Sequence, residues 1–173
     1  FYDLLASEAR LASFVAIAKG DLPAKHWFRL GRTLTPIHGG SGLISWSGSM
    51  FEYLMPSLVM RAPSGSLLEQ TNRLVVRRQE EYAYRLGLPW GISESEYNVR
   101  DIEKTYQYSS FGIPDLGYKR GLNENIVIAP YASGLASMVD PASVVRNFRH
   151  LTELGARGEY GWIEALDFTR SRL

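Results

Sequence analysis

The stretch LPWGISESEYNVRD, Leu88–Asp101, decides how the rest of the chain is interpreted. Pro89 and Gly91 disfavour both helix and strand, so the stretch is predicted to be a loop that follows a long helix. It also combines carboxylates with aromatic rings: Glu94, Glu96, Asp101, Trp90 and Tyr97. Rings stack on the apolar faces of a sugar, and carboxylates bind its hydroxyls or act on its glycosidic bond. The stretch therefore indicates a carbohydrate site, with a merely solvated acidic loop as the alternative.

Composition excludes several other classes of function. The chain has 173 residues, 45% of them hydrophobic and 21% charged, which suits one domain with a buried core. The net charge is +1 and no basic run is longer than Arg77 and Arg78, so no nucleic-acid surface is predicted. Cysteine is absent and the histidines are scattered, so neither a metal site nor a cofactor is predicted; the histidines are His26, His38 and His150. No apolar run approaches the roughly 18 residues of a membrane span, so this part of the chain is expected to be soluble.

The first predicted helix runs from Tyr2 to Lys19 and ends at Gly20. Glu8 falls on its apolar stripe, where an unpaired charge would cost several kcal/mol. Glu8 is therefore expected to be paired, protonated or open to a water-filled cavity. Two interpretations stay open, a structural ion pair with Arg32 or Arg73 and a catalytic carboxyl group.

The middle of the chain alternates Gly-rich loops with capped helices. Residues 33–48 are predicted to form a long loop, in which Trp46 either stacks against a bound sugar or packs in the hydrophobic core. Ser49 and Glu52 have the spacing of a capping box, so Glu52 has a structural role and is kept as a possible lining of the site. Ser66 and Glu69 repeat that spacing before a helix that extends to about Leu86.

The last third is predicted to be loop-rich from Lys104 to Asn125, with hairpins or loops, and helical afterwards. One helix begins at Pro130, and Asp140 and Pro141 cap and begin the next one. Residues 158–168, GEYGWIEALDF, again place carboxylates beside aromatic rings. Glu164 in this segment is predicted to belong to a second wall of the sugar site.

Three motifs together resemble one known family. They are WGISESEYN at residues 90–98, ISWSGSMFEYLMPSLVM at 44–60 and IVIAPYASGLA at 126–136. They look like the glucoamylase-like domain of bacterial cyclic β-1,2-glucan synthases, along nearly the whole chain. The resemblance implies an all-α fold of the (α/α)6-barrel type. Such a barrel needs twelve helices of about 11 to 12 residues each with their loops, so residues 1–173 are predicted to be an incomplete fragment of a single domain.

The resemblance also implies an activity, the closure of linear β-1,2-glucan into a ring by retaining transglycosylation. A β-1,2-glucan hydrolase and a non-catalytic glucan-binding module are the alternatives. The parent would be a membrane-bound synthase at the cytoplasmic face of the bacterial inner membrane. The partners are therefore expected to be the glucan and the remaining domains of that parent, and the isolated fragment is expected to be inactive.

Retaining transfer needs two carboxyl groups, a nucleophile and an acid/base. Glu94 is predicted to be the nucleophile, because a loop rich in Gly and Ser exposes it. Glu8 is predicted to be the acid/base, because apolar surroundings keep a carboxyl group protonated near neutrality. The two roles could be exchanged. The predicted substrate-binding residues are Trp46, Glu52, Trp90, Glu96, Tyr97, Asp101 and Glu164.

Overall fold

The structure, a computed structural model, describes residues 2–37 and 39–173. Phe1, placed at the start of the first helical pattern, and His38, one of the scattered histidines, lie outside the described residues. Helix accounts for 42% of the chain and strand for 18%. The predicted fold class, an all-α part of an (α/α)6 barrel, is therefore wrong, because the described chain is a mixed α/β structure.

Five α-helices lie within the described residues. They are α1 (Ala9–Lys19), α2 (Met50–Leu54), α3 (Leu67–Leu86), α4 (Pro130–Ala136) and α5 (Pro141–Glu153). Short 3₁₀ helices lie at Ala24–Arg29, Met55–Leu58, Leu122–Glu124 and Arg170–Arg172. None of the described helices has the length and apolar content that crossing a membrane requires.

The strands form two-stranded antiparallel ladders. The pairs are β1 (Leu34–Ile37) with β2 (Gly40–Leu43), β3 (Ser95–Arg100) with β4 (Tyr106–Ser109), β5 (Val127–Ile128) with β8 (Leu166–Asp167), and β6 (Arg157–Gly158) with β7 (Gly161–Trp162). Two of the ladders are only two residue pairs long, which is too short to leave a period-two pattern in the sequence.

The first helix begins later than predicted. Residues 2–8 do not continue α1 upstream, because the backbone there bonds to a distant segment. The Leu5 amide donates to the Gly31 carbonyl at 2.9 Å, and the Gly31 amide donates to the Asp3 carbonyl at 2.8 Å. The predicted end is confirmed, since Gly20 closes α1 with a φ of 83°. Glu8 consequently lies at the N-cap of α1 rather than inside a helical stripe.

Helix α2 lies at the centre of the core. Its residues Met50, Tyr53 and Leu54 have no exposed surface, and the helix packs against α3 and α4. The Tyr53 hydroxyl lies within hydrogen-bonding distance of two carbonyl oxygens, at 2.6 Å from that of Leu116 and 3.0 Å from that of Leu43, and its single proton is shared between them. One tyrosine therefore fixes two loop segments to the helix that carries Glu52.

Buried side chains of two helices hold the segment around Trp90 in place. Gln79 of α3, 1% exposed, accepts from the Ile92 amide at 2.9 Å and donates to the Ile92 carbonyl at 2.8 Å. Asn147 of α5 makes the same two-way contact with Trp90, at 3.0 Å to the amide and 2.8 Å to the carbonyl. These bonds replace a regular ladder, so a segment without secondary structure carries Glu94 in a fixed position.

A close approach of backbones fixes the loop before α2. A Cβ added at Gly112 would lie 1.9 Å from the Ser47 carbonyl oxygen and 2.5 Å from the Gly48 carbonyl carbon. The Gly48 carbonyl accepts a hydrogen bond from the Ile113 amide at 3.3 Å across the same contact. Glycine is required at position 112 because any side chain would push the two segments apart.

We expect Gly112→Ala to destabilise the fold by about 3 kcal/mol, because the added methyl group overlaps main-chain atoms that cannot move independently. A melting curve of the intact protein measures the effect. Gly134→Ala is the matched control, because Gly134 lies inside α4 and an added Cβ meets no atom within 4 Å. That control is expected to leave the melting temperature unchanged or slightly raised. Equal losses in the two variants would contradict the explanation.

Candidate active site

Three carboxylates converge from separate elements. Glu8 precedes α1, Glu52 lies in the first turn of α2, and Glu94 immediately precedes β3. The Tyr2 hydroxyl contacts a carboxylate oxygen of Glu8, and it lies 3.1 Å from Oε1 of Glu52. The charges of Glu8 and Glu52 both act on Glu94. Chain segments far apart in sequence therefore bring one acidic cluster together, defined here as Glu8, Glu52 and Glu94.

Glu52 is buried in this cluster, with 2% of its surface exposed. Its Oε2 accepts hydrogen bonds from the Ser47 amide at 2.9 Å and the Ser47 hydroxyl at 2.8 Å. Only half of the predicted capping box forms, since the Ser49 hydroxyl accepts from the Glu52 amide at 3.3 Å. The Glu52 carboxylate bonds to Ser47 and Tyr2 instead of the Ser49 amide, so its side chain serves the cluster rather than the helix start.

Glu94 lies half-buried between tyrosines. The Tyr108 hydroxyl donates to Glu94 Oε1 at 3.0 Å, and the Tyr131 hydroxyl donates to the Glu94 carbonyl at 2.7 Å. Burial raises the pKa of the Glu94 carboxyl group, and the charges of Glu8 and Glu52 raise it further, while the Tyr108 hydrogen bond opposes them. Burial also raises the pKa of both tyrosines, so they act as neutral hydrogen-bond donors.

Arg10 is a buried cation on which the charge of Glu8 acts. It is 2% exposed and donates to the carbonyls of Leu5, Ser7, Glu52 and Tyr53. Burial lowers its pKa to about 10, although the charge of Glu8 acts in the opposite direction. Its hydrogen bonds go to main-chain oxygens, so it supports the backbone behind the cluster without pairing with a carboxylate.

The ion pair considered for Glu8 does not form. Arg32 donates to the carbonyls of Leu30 and Trp27, and Arg73 pairs with Glu69 at 2.8 Å. The ion pairs found within residues 2–37 and 39–173 include no member of the acidic cluster. Glu8 instead lies at the edge of a cavity of about 620 Å³, which Asp3, His26 and Arg29 also line.

Trp46 lies beside the acidic cluster. Its ring stacks on Tyr2 with 6.0 Å between ring centroids, and Tyr118 packs against it at 5.8 Å. The indole N–H is buried and has no hydrogen-bond partner among the described residues. Trp46 is half-buried, so it has a packing role and part of its surface remains accessible. Trp90, at 7% exposure, lies in the core and is not brought to the cluster.

A second cleft, of about 390 Å³, collects three of the other predicted residues, Glu96, Tyr97 and Glu164. The Glu164 carboxylate accepts from the Glu96 amide at 3.4 Å. Its charge also raises the pKa of Tyr108, after the larger effects of burial and Glu94. Asp101 lies apart, where its Oδ1 accepts from the amides of Glu103 and Thr105, both at 2.9 Å, and closes the β3–β4 turn.

Sequence reasoning missed the residues that complete the acidic cluster: Tyr2, Arg10, Ser47, Tyr108 and Tyr131. Two signals were present. Arg10 follows Glu8 by two positions in an otherwise apolar segment, which indicates a buried cation. Tyr131 lies inside the motif at residues 126–136. The Tyr2 and Tyr108 contacts leave no local pattern, because the fold alone brings those phenols to their carboxylates.

Comparison with known proteins assigns the chain to a family. It is 60% identical over 172 residues to the cyclic beta-(1,2)-glucan synthase NdvB of Rhizobium meliloti (strain 1021), a match that covers 99% of this chain and 6% of that protein. Its fold resembles the crystal structure of a "putative glucoamylase" from Bacteroides fragilis NCTC 9343 at 20% identity, with a TM-score of 0.59 over 84% of this chain and 36% of that one. It also resembles an endo-beta-1,2-glucanase from Chitinophaga pinensis at 14% identity, with a TM-score of 0.56 over 80% of this chain and 35% of that one.

The chain thus spans a small part of the curated relative and about a third of each solved structure. The sequence model of the Glycoamylase family, described as "Putative glucoamylase", matches residues 1–172. The chain therefore belongs to the Glycoamylase family.

Proposed function

We propose that this chain carries the reacting carboxyl groups of a domain that closes linear β-1,2-glucan into a ring by retaining transglycosylation. The observation that carries the proposal is the acidic cluster, in which the charges of Glu8 and Glu52 act on Glu94 and no member takes part in the ion pairs found among the described residues. The 60% identity to a cyclic β-1,2-glucan synthase across the matched segment supports the proposed substrate class.

Glu94 is proposed as the nucleophile and Glu8 as the acid/base. In the first step, a Glu94 oxygen bonds to the anomeric carbon, and the departing glycosidic oxygen takes a proton from Glu8. In the second step, the 2-hydroxyl at the other end of the same glucan chain attacks that carbon, and Glu8 takes the hydroxyl proton. The Glu94 ester bond then breaks and the ring is closed. Two inversions at one carbon give net retention.

The three carboxyl groups act on one another electrostatically. Burial is the largest cause of the raised pKa of Glu94, and the charges of Glu8 and Glu52 raise it further. The Tyr108 hydroxyl, at 3.0 Å, stabilises the ionised form of Glu94 and orients the oxygen that attacks.

Substrate binding is proposed for the residues that line this region and the second cleft. Trp46 would offer a ring face beside Glu8, while Glu96, Tyr97 and Glu164 would bind hydroxyl groups along the adjoining glucan. Glu52 lines the cluster from behind. Trp90 and Asp101 are not part of the proposed site, because the core and a turn account for them.

The 173 residues are proposed to be one part of a single catalytic domain in a larger synthase. The two solved structures described above are longer than the part that the chain matches. The remaining domains of the parent, its membrane attachment and the inactivity of the isolated segment are parts of the same proposal.

Incubating the intact protein with purified linear β-1,2-glucan, in the absence of any sugar-nucleotide donor, tests the proposed activity. Ring products are lighter by one water than linear chains of the same length, so mass spectrometry distinguishes them. Rings support transglycosylation. Short linear products would indicate a hydrolase, and an unchanged substrate would indicate a glucan-binding module. Glu94→Gln serves as the inactive control for the preparation.

A further inference from the structure

Tyr131 joins the three sequence motifs described above. It belongs to the last of them, and its hydroxyl oxygen lies 2.9 Å from that of Ser93 and 2.7 Å from the carbonyl oxygen of Glu94, both in the central motif. The Ser93 hydroxyl also accepts a hydrogen bond at 3.0 Å from the amide of Phe51, in the first motif. Hydrogen bonds from all three motifs therefore meet at the main chain of Glu94.

The direction of these hydrogen bonds follows from the groups themselves. The Glu94 carbonyl oxygen can only accept, so the Tyr131 hydroxyl donates its one proton there. Ser93 is then the donor between the two hydroxyl groups, while its oxygen accepts from the Phe51 amide. Ser93 has no exposed surface. An amide in the first turn of α2 is thus connected through two hydroxyl groups to the Glu94 main chain.

Helix α4, which carries Tyr131, is attached to the same segment at other points. The Ala129 amide, directly before α4, donates to the Gly91 carbonyl at 3.0 Å. The buried Ser133 hydroxyl donates at 3.2 Å to the carbonyl of the residue before Gly91. A Cβ added at Gly91 would lie 2.9 Å from the Ser133 hydroxyl oxygen, so the two elements are in close contact. Tyr131 extends this attachment to Glu94.

The ring of Tyr131 is held separately from its hydroxyl group. It packs edge-on against Phe51, with 6.2 Å between ring centroids and an interplanar angle of 78°. A phenylalanine at position 131 keeps this packing and removes only the hydroxyl group. Tyr131 is 36% exposed, so water can replace the lost donor, but a water molecule does not hold the carbonyl group to a fixed element of the fold.

We propose that Tyr131 is a positioning residue that fixes the main chain of Glu94 and thereby the orientation of its carboxylate. The inference rests on the proposed function for the role of Glu94 as nucleophile. The Tyr108 hydroxyl orients the carboxylate through Oε1, at 3.0 Å, while Tyr131 holds the carbonyl group at the other end of the residue. Attack needs the reacting atoms about 3 to 3.5 Å apart and aligned, and a displacement of about 1 Å can slow it about a hundredfold.

The test compares kcat and KM on linear β-1,2-glucan for the intact wild-type protein and Tyr131→Phe. The value of kcat is expected to fall about tenfold to a hundredfold, because the carboxylate is no longer held in one position. KM is expected to stay within about twofold of wild type, because no proposed contact with the glucan is removed. The melting temperature is expected to stay close to that of wild type, because the contact with the Phe51 ring is kept.

Tyr82→Phe is the matched control. Tyr82 is also partly exposed and packs against the core, but Arg78 lies over its ring and no hydrogen bond joins it to Glu94. Its kcat and KM are expected to equal those of wild type.

A second comparison uses an aryl glycoside of a β-1,2-linked glucose disaccharide, whose leaving group needs no proton. The first-step rate of Tyr131→Phe is expected to fall by the same factor on this donor as on the glucan, because both donors need the nucleophile.

An unchanged kcat in Tyr131→Phe, an equal loss in Tyr82→Phe, a loss confined to KM, or unequal losses on the two donors would overturn the inference. If the wild-type protein leaves β-1,2-glucan unchanged, the proposed function fails, and crystal structures of wild type and Tyr131→Phe measure the position of Glu94 instead. The hydrogen bond between Glu94 Oε1 and the Tyr108 hydroxyl is then expected in wild type and lost in the variant. A bond that persists in Tyr131→Phe would contradict the positioning role independently of any activity.

Discussion

Replacing Glu94 with glutamine is expected to lower kcat for ring closure by about a thousandfold or more, while glucan binding stays close to that of wild type. The amide keeps the shape of the side chain and can still contact the Tyr108 hydroxyl, but it cannot form a glycosyl ester. Product formation by mass spectrometry and glucan binding by calorimetry measure the two effects. Glu96→Gln is the neighbouring control and is expected to affect binding more than kcat. A Glu94→Gln variant with a tenth of wild-type activity would move the nucleophile elsewhere, first to Glu96.

Azide rescue decides whether Glu94 or Glu8 is the nucleophile. In Glu94→Ala, azide attacks the anomeric carbon of the β-linked donor directly and is expected to give an α-glycosyl azide. In Glu8→Ala, azide attacks the glycosyl-enzyme after Glu94 has reacted, and the expected product is a β-glycosyl azide. Proton NMR distinguishes the two products. The opposite pairing of products and variants would exchange the two roles.

The stability of Glu94→Gln checks that lost activity is not lost folding. The pKa of Glu94 is raised in the folded protein, so its contribution to stability is fully present below the pKa of the unfolded chain and is lost as pH rises through the folded pKa. The glutamine has no proton to lose. Glu94→Gln is therefore expected to melt at or above the wild-type temperature at neutral pH, with a weaker pH dependence.

Local signals in the sequence were sufficient for the ends of α3 and the start of α5, although not for the start of α1. The predicted cap of α3 at Ser66 and its predicted end at about Leu86 are both confirmed, since Ser66 accepts from the Glu69 amide and Gly87 follows Leu86 with a φ of 68°. The start of α5 at Pro141, with Asp140 as its cap, is confirmed for the same reason. Caps and left-handed glycines act within one helical turn, so a single sequence contains the information.

The all-α prediction failed where the structure depends on distant segments. Ile128 pairs with Leu166, and Ile92 forms an isolated bridge with Ile128. Such ladders are too short to impose a pattern on the sequence. They form because the buried backbone must find hydrogen-bond partners in whichever segment the core brings near.

The candidate site was predictable in its carboxylates but not in their partners. Glu8 stood out because it is a carboxylate among leucines. Glu94 stood out because it lies in a segment that contains glycine and aromatic residues. Tyr108 and Tyr2 reach Glu94 and Glu52 across 14 and 50 positions, and only the tertiary fold sets those contacts. The sequence assigned the Glu52 carboxylate to a helix cap, because the spacing of Ser49 and Glu52 fits a capping box. Its actual partner, Ser47, lies two residues before Ser49 and outside that pattern.

Replacing Glu8 with glutamine is expected to lower kcat by about a hundredfold to ten-thousandfold and to leave the melting temperature nearly unchanged. Loss of a proton donor slows departure of the glycosidic oxygen. The structural cost is small because neither Arg32 nor Arg73 pairs with Glu8, so no buried cation loses its partner. Glu8 lies at the N-cap of α1, but its side chain makes no capping hydrogen bond there, so the helix loses no cap in the variant.

A donor whose leaving group needs no proton separates the acid role of Glu8 from a general loss of function. With an aryl glycoside of a β-1,2-linked glucose disaccharide, the phenolate departs unaided, so Glu8→Gln is expected to retain much of its first-step rate. Glu94→Gln is expected to lose activity on both donors, because the nucleophile is needed whatever the leaving group. If Glu8 were a structural ion-pair member instead, Glu8→Gln would cost roughly 3 to 5 kcal/mol of stability and depress both donors alike. A large fall in melting temperature would therefore remove Glu8 from the mechanism. An equal loss of activity on both donors would have the same meaning, because a purely structural residue affects both leaving groups alike.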